Sequence, residues 1–248
     1  MKRFSIYKIF FFVLFLFVLF FIVFCNFKLK KSYNLKGDLK VNATPISNKI
    51  IVLDAGHGLP DAGASSFDGT TEQAINLEIV LKLQKILEQS GADVILTRSD
   101  ENGIYSMDSK SIRNKKVSDT KNRVELANNS NADVFLSIHL NKFSGSSKYR
   151  GWQTFYQKDS EKSKLIANNI QDNLNKNIDL ANDRNVLPIS DVYIMEHVKI
   201  PSVIVECGFL SNPDETNNLK KEEYQNSIAW GIYLGLQDFF FNEEKFNE

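Results

Sequence analysis

The chain holds only three histidines, His57, His139 and His197, and two of them sit where a strand pattern gives way to a loop. His57 follows the β-branched run from Lys49 to Asp54, inside Ala55-Gly56-His57-Gly58. His139 ends the run from Asp133 to Ile138. Glu206 ends a further run, from Ser202, and Glu72 opens the helical pattern that follows the His57 loop. In an open parallel sheet the carboxyl ends of the strands line one edge, and ligands bind there. Four groups far apart in sequence are therefore expected to converge. Two imidazoles and a carboxylate make a common catalytic zinc set that leaves one position for water. The remaining carboxylate would then stand ready as a general base on that water. Spacing alone leaves plainer readings open, with Glu72 as a charge at a helix N-terminus and Glu206 as a strand-end carboxylate paired with an arginine. Gly56 and Gly58 favour the site, because they let the backbone turn sharply and a metal or substrate come close.

The elements that must position these groups alternate. Thr71 to Ser90 reads as a helix, with Glu78, Lys82, Lys85 and Gln89 on its polar stripe and Gly91 as its stop. Further helices are expected over 117–129, 159–175 and 222–240. Strands are expected over 93–97, 133–138, 152–156, 191–195 and 202–206. This order predicts an α/β single domain, its mostly parallel twisted sheet flanked by helices on both faces. Residues 99–116 show no apolar period, and a loop of that length is usually functional or disordered.

Composition bounds the function. Thirty basic residues balance thirty acidic ones among 248, and 43% of residues are hydrophobic. That excludes a disordered chain, a disulfide scaffold and, on whole-chain charge, a basic nucleic-acid binder. The average conceals a split, since ten of the 19 phenylalanines lie within residues 1–27. Ile9 to Cys25 is unbroken apolar sequence, long enough for a short membrane helix. The flanking Phe24-Cys25-Asn26-Phe27-Lys28 offers no small residues for cleavage, which favours an uncleaved anchor over a removed signal peptide. The expected organisation is an anchor over 1–27, a polar tether over 28–48, a catalytic domain over 49–240 and a tail over 241–248, with the bulk of the chain outside the membrane. Cys207 neighbours Glu206, so strand alternation turns it to the opposite face and into the core. His197 is expected at or near the surface. Trp152, Phe155 and Tyr156 are read as sheet packing, with a sugar platform as the alternative.

Three stretches carry a resemblance. Asp54-Ala55-Gly56-His57-Gly58-Leu59-Pro60-Asp61-Ala62-Gly63-Ala64 with Glu72, then Ser137-Ile138-His139-Leu140-Asn141, then Glu206-Cys207-Gly208-Phe209-Leu210-Ser211-Asn212 resemble the zinc-dependent N-acetylmuramoyl-L-alanine amidases of bacterial cell walls. The resemblance runs through 49–240 in the family's order. It implies a hydrolase of the amide between the muramic acid lactyl group and L-alanine in peptidoglycan. By motif position it implies one Zn2+ on His57, Glu72 and His139, with Glu206 as the catalytic glutamate. Asn141 and Arg98 are candidate substrate contacts. Arg98 and Arg123 could meet stem-peptide carboxylates, although salt bridges are the favoured reading for both. Ala55 stands where the family often has Pro and Leu59 where it often has Gly, and the bulk of Leu59 could narrow access to the metal loop. An anchor, a short tether and a bare domain are similar to the sporulation branch, which acts on spore cortex before germination. That implies a membrane-anchored, extracytoplasmic enzyme, with an activating or targeting protein partner and no nucleic acid. The rival readings are a vegetative wall amidase, a zinc peptidase cutting within the stem peptide, and a non-catalytic wall-binding protein.

Overall fold

A computed structural model describes residues 44–246 together with Phe12 and Leu16. Apart from Phe12 and Leu16 the expected anchor lies outside the described residues, as does most of the expected tether. Among the described residues no helix is long and apolar enough to cross a membrane.

Six strands form one sheet: β1 (Ile50–Ala55), β2 (Asp93–Leu96), β3 (Val134–Asn141), β4 (Gln153–Gln157), β5 (Leu187–Ile189) and β6 (Ser202–Phe209). Their order is β2-β1-β3-β6-β4-β5. The pairings are parallel except that β4 runs antiparallel to β6. The sheet is thus mixed, and the expectation of a mostly parallel sheet holds for β1, β2, β3 and β6. These four strands are apolar runs read from sequence. The inner three, β1, β3 and β6, are buried on both faces and need no polar alternation.

The helices are α1 (Glu72–Gln89), α2 (Ile112–Asn129), α3 (Glu161–Asn177), α4 (Tyr193–His197), α5 (Pro213–Leu219) and α6 (Glu222–Phe246). They lie on both faces of the sheet, unequally. The larger core joins Ile75, Ile79 and Leu83 of α1, Ile166 and Ile170 of α3, and Ile232 and Leu236 of α6 to the sheet. The smaller packs Val124 and Ala127 of α2 and Val198 after α4 against Val52 and Phe135.

Three expectations are corrected. Residues 191–195 are not a strand, because Asp191 takes φ 65 and the chain winds into α4. Ile194, Met195 and Val198 recur there at helical spacing, and Met195 and Val198 are buried. The strand of this region is the shorter β5. Helix α2 begins at Ile112 and so takes the end of the expected loop. Its first turns are solvent-facing, and Arg113, Lys115 and Lys116 hide the apolar period. The Ser111 hydroxyl caps it, accepting from the Asn114 N–H at 3.1 Å. The last helix runs to Phe246, beyond the expected domain end. At the other boundary, Ile46 is fully buried and its N–H reaches Gln237 Oε1 at 3.3 Å.

Beneath the carboxyl edge lies a buried charge network. Asp54 accepts from the Thr97 hydroxyl at 2.7 Å and from the Ser137 hydroxyl, and it pairs with Arg123, which is 2% exposed. Burial opposes ionisation of Asp54, but Arg123 and the two hydroxyls outweigh it and hold the carboxyl below its usual range. Removing one partner of such a pair strands the other. Arg123→Met is expected to destabilise the domain by about 3–5 kcal/mol in chemical denaturation. Asp54→Leu combined with Arg123→Met should recover much of that loss; a double variant weaker by the sum of the singles would contradict a coupled pair.

Candidate metal centre

Past Ala55 the backbone leaves β1 and His57 takes a left-handed conformation, φ 63, which is strained for a side chain with a Cβ. Three side chains hold the loop. The Arg123 guanidinium donates to the carbonyls of Ala55 and His57 and to Asp119, the last at 2.7 Å. Arg98 donates to the carbonyls of Ala55 (2.8 Å), Gly56 (3.1 Å), Gln73 (2.8 Å) and Asp100 (2.7 Å). The Asn76 amide donates to the Gly56 carbonyl at 3.2 Å. Gly56 itself is obligatory, because a Cβ there would stand 2.4 Å from the His139 ring.

His139 comes from β3, one residue before the register of β3 and β6 shifts. Such irregularities re-aim side chains near sites. Glu72, at the first turn of α1, lies between the two histidines. Its Oε2 is 3.1 Å from His57 Nε2 and its Oε1 is 3.0 Å from His139 Nδ1. The same oxygens accept backbone N–H bonds from Ala64 at 2.8 Å and Leu140 at 3.0 Å. One ligand atom from each of His57, Glu72 and His139 falls within 4.8 Å of the others. Two imidazoles and a carboxylate at this spacing fit a divalent ion of the zinc type. The remaining nitrogen of His57, Nδ1, lies 3.1 Å from Asp61 Oδ2, and Asp61 Oδ1 meets Lys116 Nζ at 2.9 Å. A carboxylate behind a ligating imidazole fixes its ring and tautomer. The sequence reading quoted Asp61 without giving it this role; its place four residues after His57 was the available signal.

Glu206 stands opposite His139 in the β3–β6 register. Its Oε2 is buried and has no hydrogen-bond partner. Burial raises its pKa; His139 opposes, Glu72 adds to the rise, His57 opposes, and the result is about 7. Glu72 behaves oppositely. Burial resists its charge, but His139 and His57 overcome that and hold it well below the carboxylate range. Burial likewise resists protonation of His57, and Asp61 and Glu72 overcome it, raising the pKa to about 9. A cavity of about 450 Å³ opens on His57, His139 and Glu206 and is walled by Lys116, Asp191 and Tyr193. Cys207, beside Glu206, is fully buried in the opposite core, as strand alternation requires.

Other sequence candidates fall outside this centre. Arg98 is 4% exposed and engaged by backbone carbonyls, a scaffold role rather than a substrate contact. Asn141 closes β3, and its carbonyl accepts from the Leu210 N–H at 2.9 Å. Leu59 does not line the cavity. His197 is exposed and stacks on Tyr193 at 3.9 Å. Trp152 is fully buried and donates to Asn175 at 2.8 Å, which leaves it in sheet packing.

These shifts set the pH response of the metal-free protein. Glu206 and Glu215, both raised from 4.5 to about 7, bind protons more tightly folded than unfolded. Their contribution is complete below 4.5 and is lost as pH rises through about 7. His57, raised from 6.5 to about 9, loses its contribution as pH climbs through about 9. Calorimetry of the metal-free protein should therefore show a melting temperature that falls between pH 4.5 and 9, less steeply in Glu206→Gln. Metal binding must displace the His57 proton, so apparent zinc affinity should climb over pH 6 to about 9. An affinity independent of pH there would remove His57 from the ligand set.

Comparison with known proteins agrees with this geometry. Residues 51–238 match the sequence profile of the N-acetylmuramoyl-L-alanine amidases. The chain is 36% identical over 214 residues to the germination-specific N-acetylmuramoyl-L-alanine amidase of Bacillus subtilis, covering 86% of this chain and 89% of that one. The CwlD amidase from Clostridioides difficile, solved in complex with the GerS lipoprotein, is 49% identical with a TM-score of 0.75, over 77% of this chain and 98% of that one. The catalytic domain of the amidase CwlV from Bacillus (Paenibacillus) polymyxa is 34% identical with a TM-score of 0.65, over 77% and 97%. The profile match begins in β1, ends in α6 and takes in His57, Glu72, His139 and Glu206, and the chain belongs to the N-acetylmuramoyl-L-alanine amidase family.

Proposed function

We propose that this amidase is zinc-dependent, that it cuts the amide between the lactyl group of muramic acid and the L-alanine of the stem peptide, and that its substrate is spore cortex. The carrying observation is Glu206: a carboxyl with one buried, unpartnered oxygen, in register with His139 and beside the three-ligand cluster. His57, Glu72 and His139 are the residues that would hold zinc. When bound there, zinc would polarise the lactyl carbonyl and bring the pKa of the attacking water toward ~7.

The chain's own groups do the rest. Glu206 takes a proton from the attacking water at its free carboxylate oxygen. It then returns that proton to the departing alanine nitrogen, so the peptide leaves as an amine and the carboxylate is restored. A pKa of about 7 suits a group that must serve as base and then acid near neutrality. Asp61 holds the His57 ring through Nδ1. The N–H groups of Ala64 and Leu140 donate to the two oxygens of Glu72 and fix its carboxylate in place.

The cortex role is supported by the similarity to the germination-specific amidase of Bacillus subtilis. The complex of the Clostridioides difficile relative with a lipoprotein supports a protein partner of that kind here. The apolar run from Ile9 to Cys25 supports a membrane anchor, and the similarity to cell-wall amidases supports a domain on the outer side.

Mass spectrometry of peptidoglycan digested by the zinc-loaded protein should show intact stem peptides with free L-alanine amines, and chelation should abolish their release. Cuts within the peptide would identify a peptidase instead. Glu206→Gln is expected to retain its metal and lose about 10²–10⁴-fold in turnover; a near wild-type rate would assign the base elsewhere. Spores formed without the protein should lack muramic-δ-lactam, and normal levels of it would overturn the cortex assignment.

A further inference from the structure

We infer that the stripe of α6 carrying Trp230, Leu234 and Phe241 lies on the surface of a lipid bilayer and holds the metal centre away from it. This rests on the anchor reading given above and adds the face by which the domain meets the membrane.

From Ile228 to Phe241, α6 carries one charged residue, Asp238, which accepts from the Asn173 amide at 2.8 Å. A helix apolar on nearly every side is ordinarily buried on every side. This one is not. Trp230 is 46% exposed, Phe241 is 47% exposed, and Leu234 is half-buried. Spacings of four and seven residues set these three side chains, with Gln237, on one stripe. The helix cannot turn that stripe inward, because Gly231 and Gly235 hold another side of it against α3. A Cβ at Gly235 would stand 2.5 Å from Ile170 Cα, and one at Gly231 would stand 2.9 Å from Leu174 Cδ2.

The polypeptide enters the domain along the same stripe. The Ile46 N–H meets Gln237 Oε1 at 3.3 Å, and the Thr44 hydroxyl donates to the Ser90 carbonyl at 2.8 Å. The Ser90 hydroxyl and the Gln237 amide both donate to the Tyr233 hydroxyl, at 3.0 Å and 2.6 Å. The Tyr233 ring lies 5.1 Å from that of Trp230. Residues 26–43 separate Thr44 from the apolar run Ile9 to Cys25, and a segment of that length reaches about 60 Å at most. With the apolar run in a bilayer, the entry point stays near lipid, and a contact too weak to hold a free domain becomes sufficient. Tryptophan and tyrosine favour the boundary between membrane and water, and a helix lying in that boundary presents an apolar face of this kind. Strand β1 then leads away from the entry point. Its six residues span about 20 Å, and His57 lies past its far end. The contact thereby turns the cavity at Glu206 from lipid toward the wall polymer.

The chain has two tryptophans; Trp230 is exposed and Trp152 is fully buried. Full-length protein is reconstituted with vesicles of phosphatidylglycerol and phosphatidylethanolamine, with plain or brominated acyl chains, and flotation is recorded alongside tryptophan emission. Brominated lipid should quench Trp230 and spare Trp152. Trp230→Phe should therefore abolish the quenching while the Trp152 emission still reports an intact core, and Phe241→Ser should weaken it. Flotation without quenching of Trp230 would overturn the contact and leave the anchor standing. Failure to float would overturn the anchor and the contact together. Shielding of Trp230 from aqueous acrylamide to the same extent with and without vesicles would assign the stripe to a second copy of the chain and overturn the lipid contact.

Discussion

A carboxylate buried at the start of a helix stays ionised only where positive charge surrounds it, and Glu72 is 4% exposed. Its surroundings come from three separate parts of the chain. Helix α1 contributes its N-terminal end, the loop after β1 and the end of β3 contribute the Ala64 and Leu140 N–H groups, and His57 and His139 supply the imidazoles. His139 and His57 overcome burial and keep Glu72 charged, and through it the β1 loop, α1 and β3 meet at one side chain. A divalent ion would take the place of the His57 proton, with the same polarity and greater charge.

Glu206 shows what the same residue type does without that support. It lies on the strand next to His139, yet no backbone N–H reaches its Oε2. Burial then dominates and carries its pKa to about 7. Two glutamates within one site are thereby held on opposite sides of the ordinary carboxylate range by hydrogen bonds and neighbouring charge, Glu72 below it and Glu206 above it.

The sequence made the central strands and the four site residues readable because both follow from short-range rules. Apolar runs mark strands buried on both faces, and a parallel sheet gathers their carboxyl ends. What it hid follows from interactions that have no local signature. The basic opening of α2 carries no apolar stripe, so Ile112 to Lys116 read as loop. The apolar residues from Val192 to Met195 read as strand, yet a left-handed Asp191 starts a helical turn there. The antiparallel sense of β4 depends on the path of the chain after β3, which periodicity does not encode. Arg98 and Arg123 read as ion-pair partners or stem-peptide contacts; Arg123 does pair with Asp54 and Asp119, but the backbone carbonyls of the β1 loop that both side chains also hold are partners sequence cannot display.

That last point explains how a strained loop can carry a ligand. His57 sits at φ 63, and Gly63, also left-handed, lies so close that a Cβ would stand 2.6 Å from Glu72 Oε2 and 2.7 Å from the His57 ring. A conformation of this kind costs on the order of 1–3 kcal/mol and persists only where neighbours over-determine it. Arg123 does so from below, tying the loop carbonyls to Asp54 and Asp119 in a network with almost no exposure. The strain is thus offset in the buried sheet edge and not at the metal ligands themselves. The ligand side of the centre is consequently rigid, packed against backbone at Gly56 and Gly63, while the opposite side opens to the cavity in front of Glu206. Packing thus leaves the centre open on the face where Glu206 lies and closed against the glycine backbone on the other.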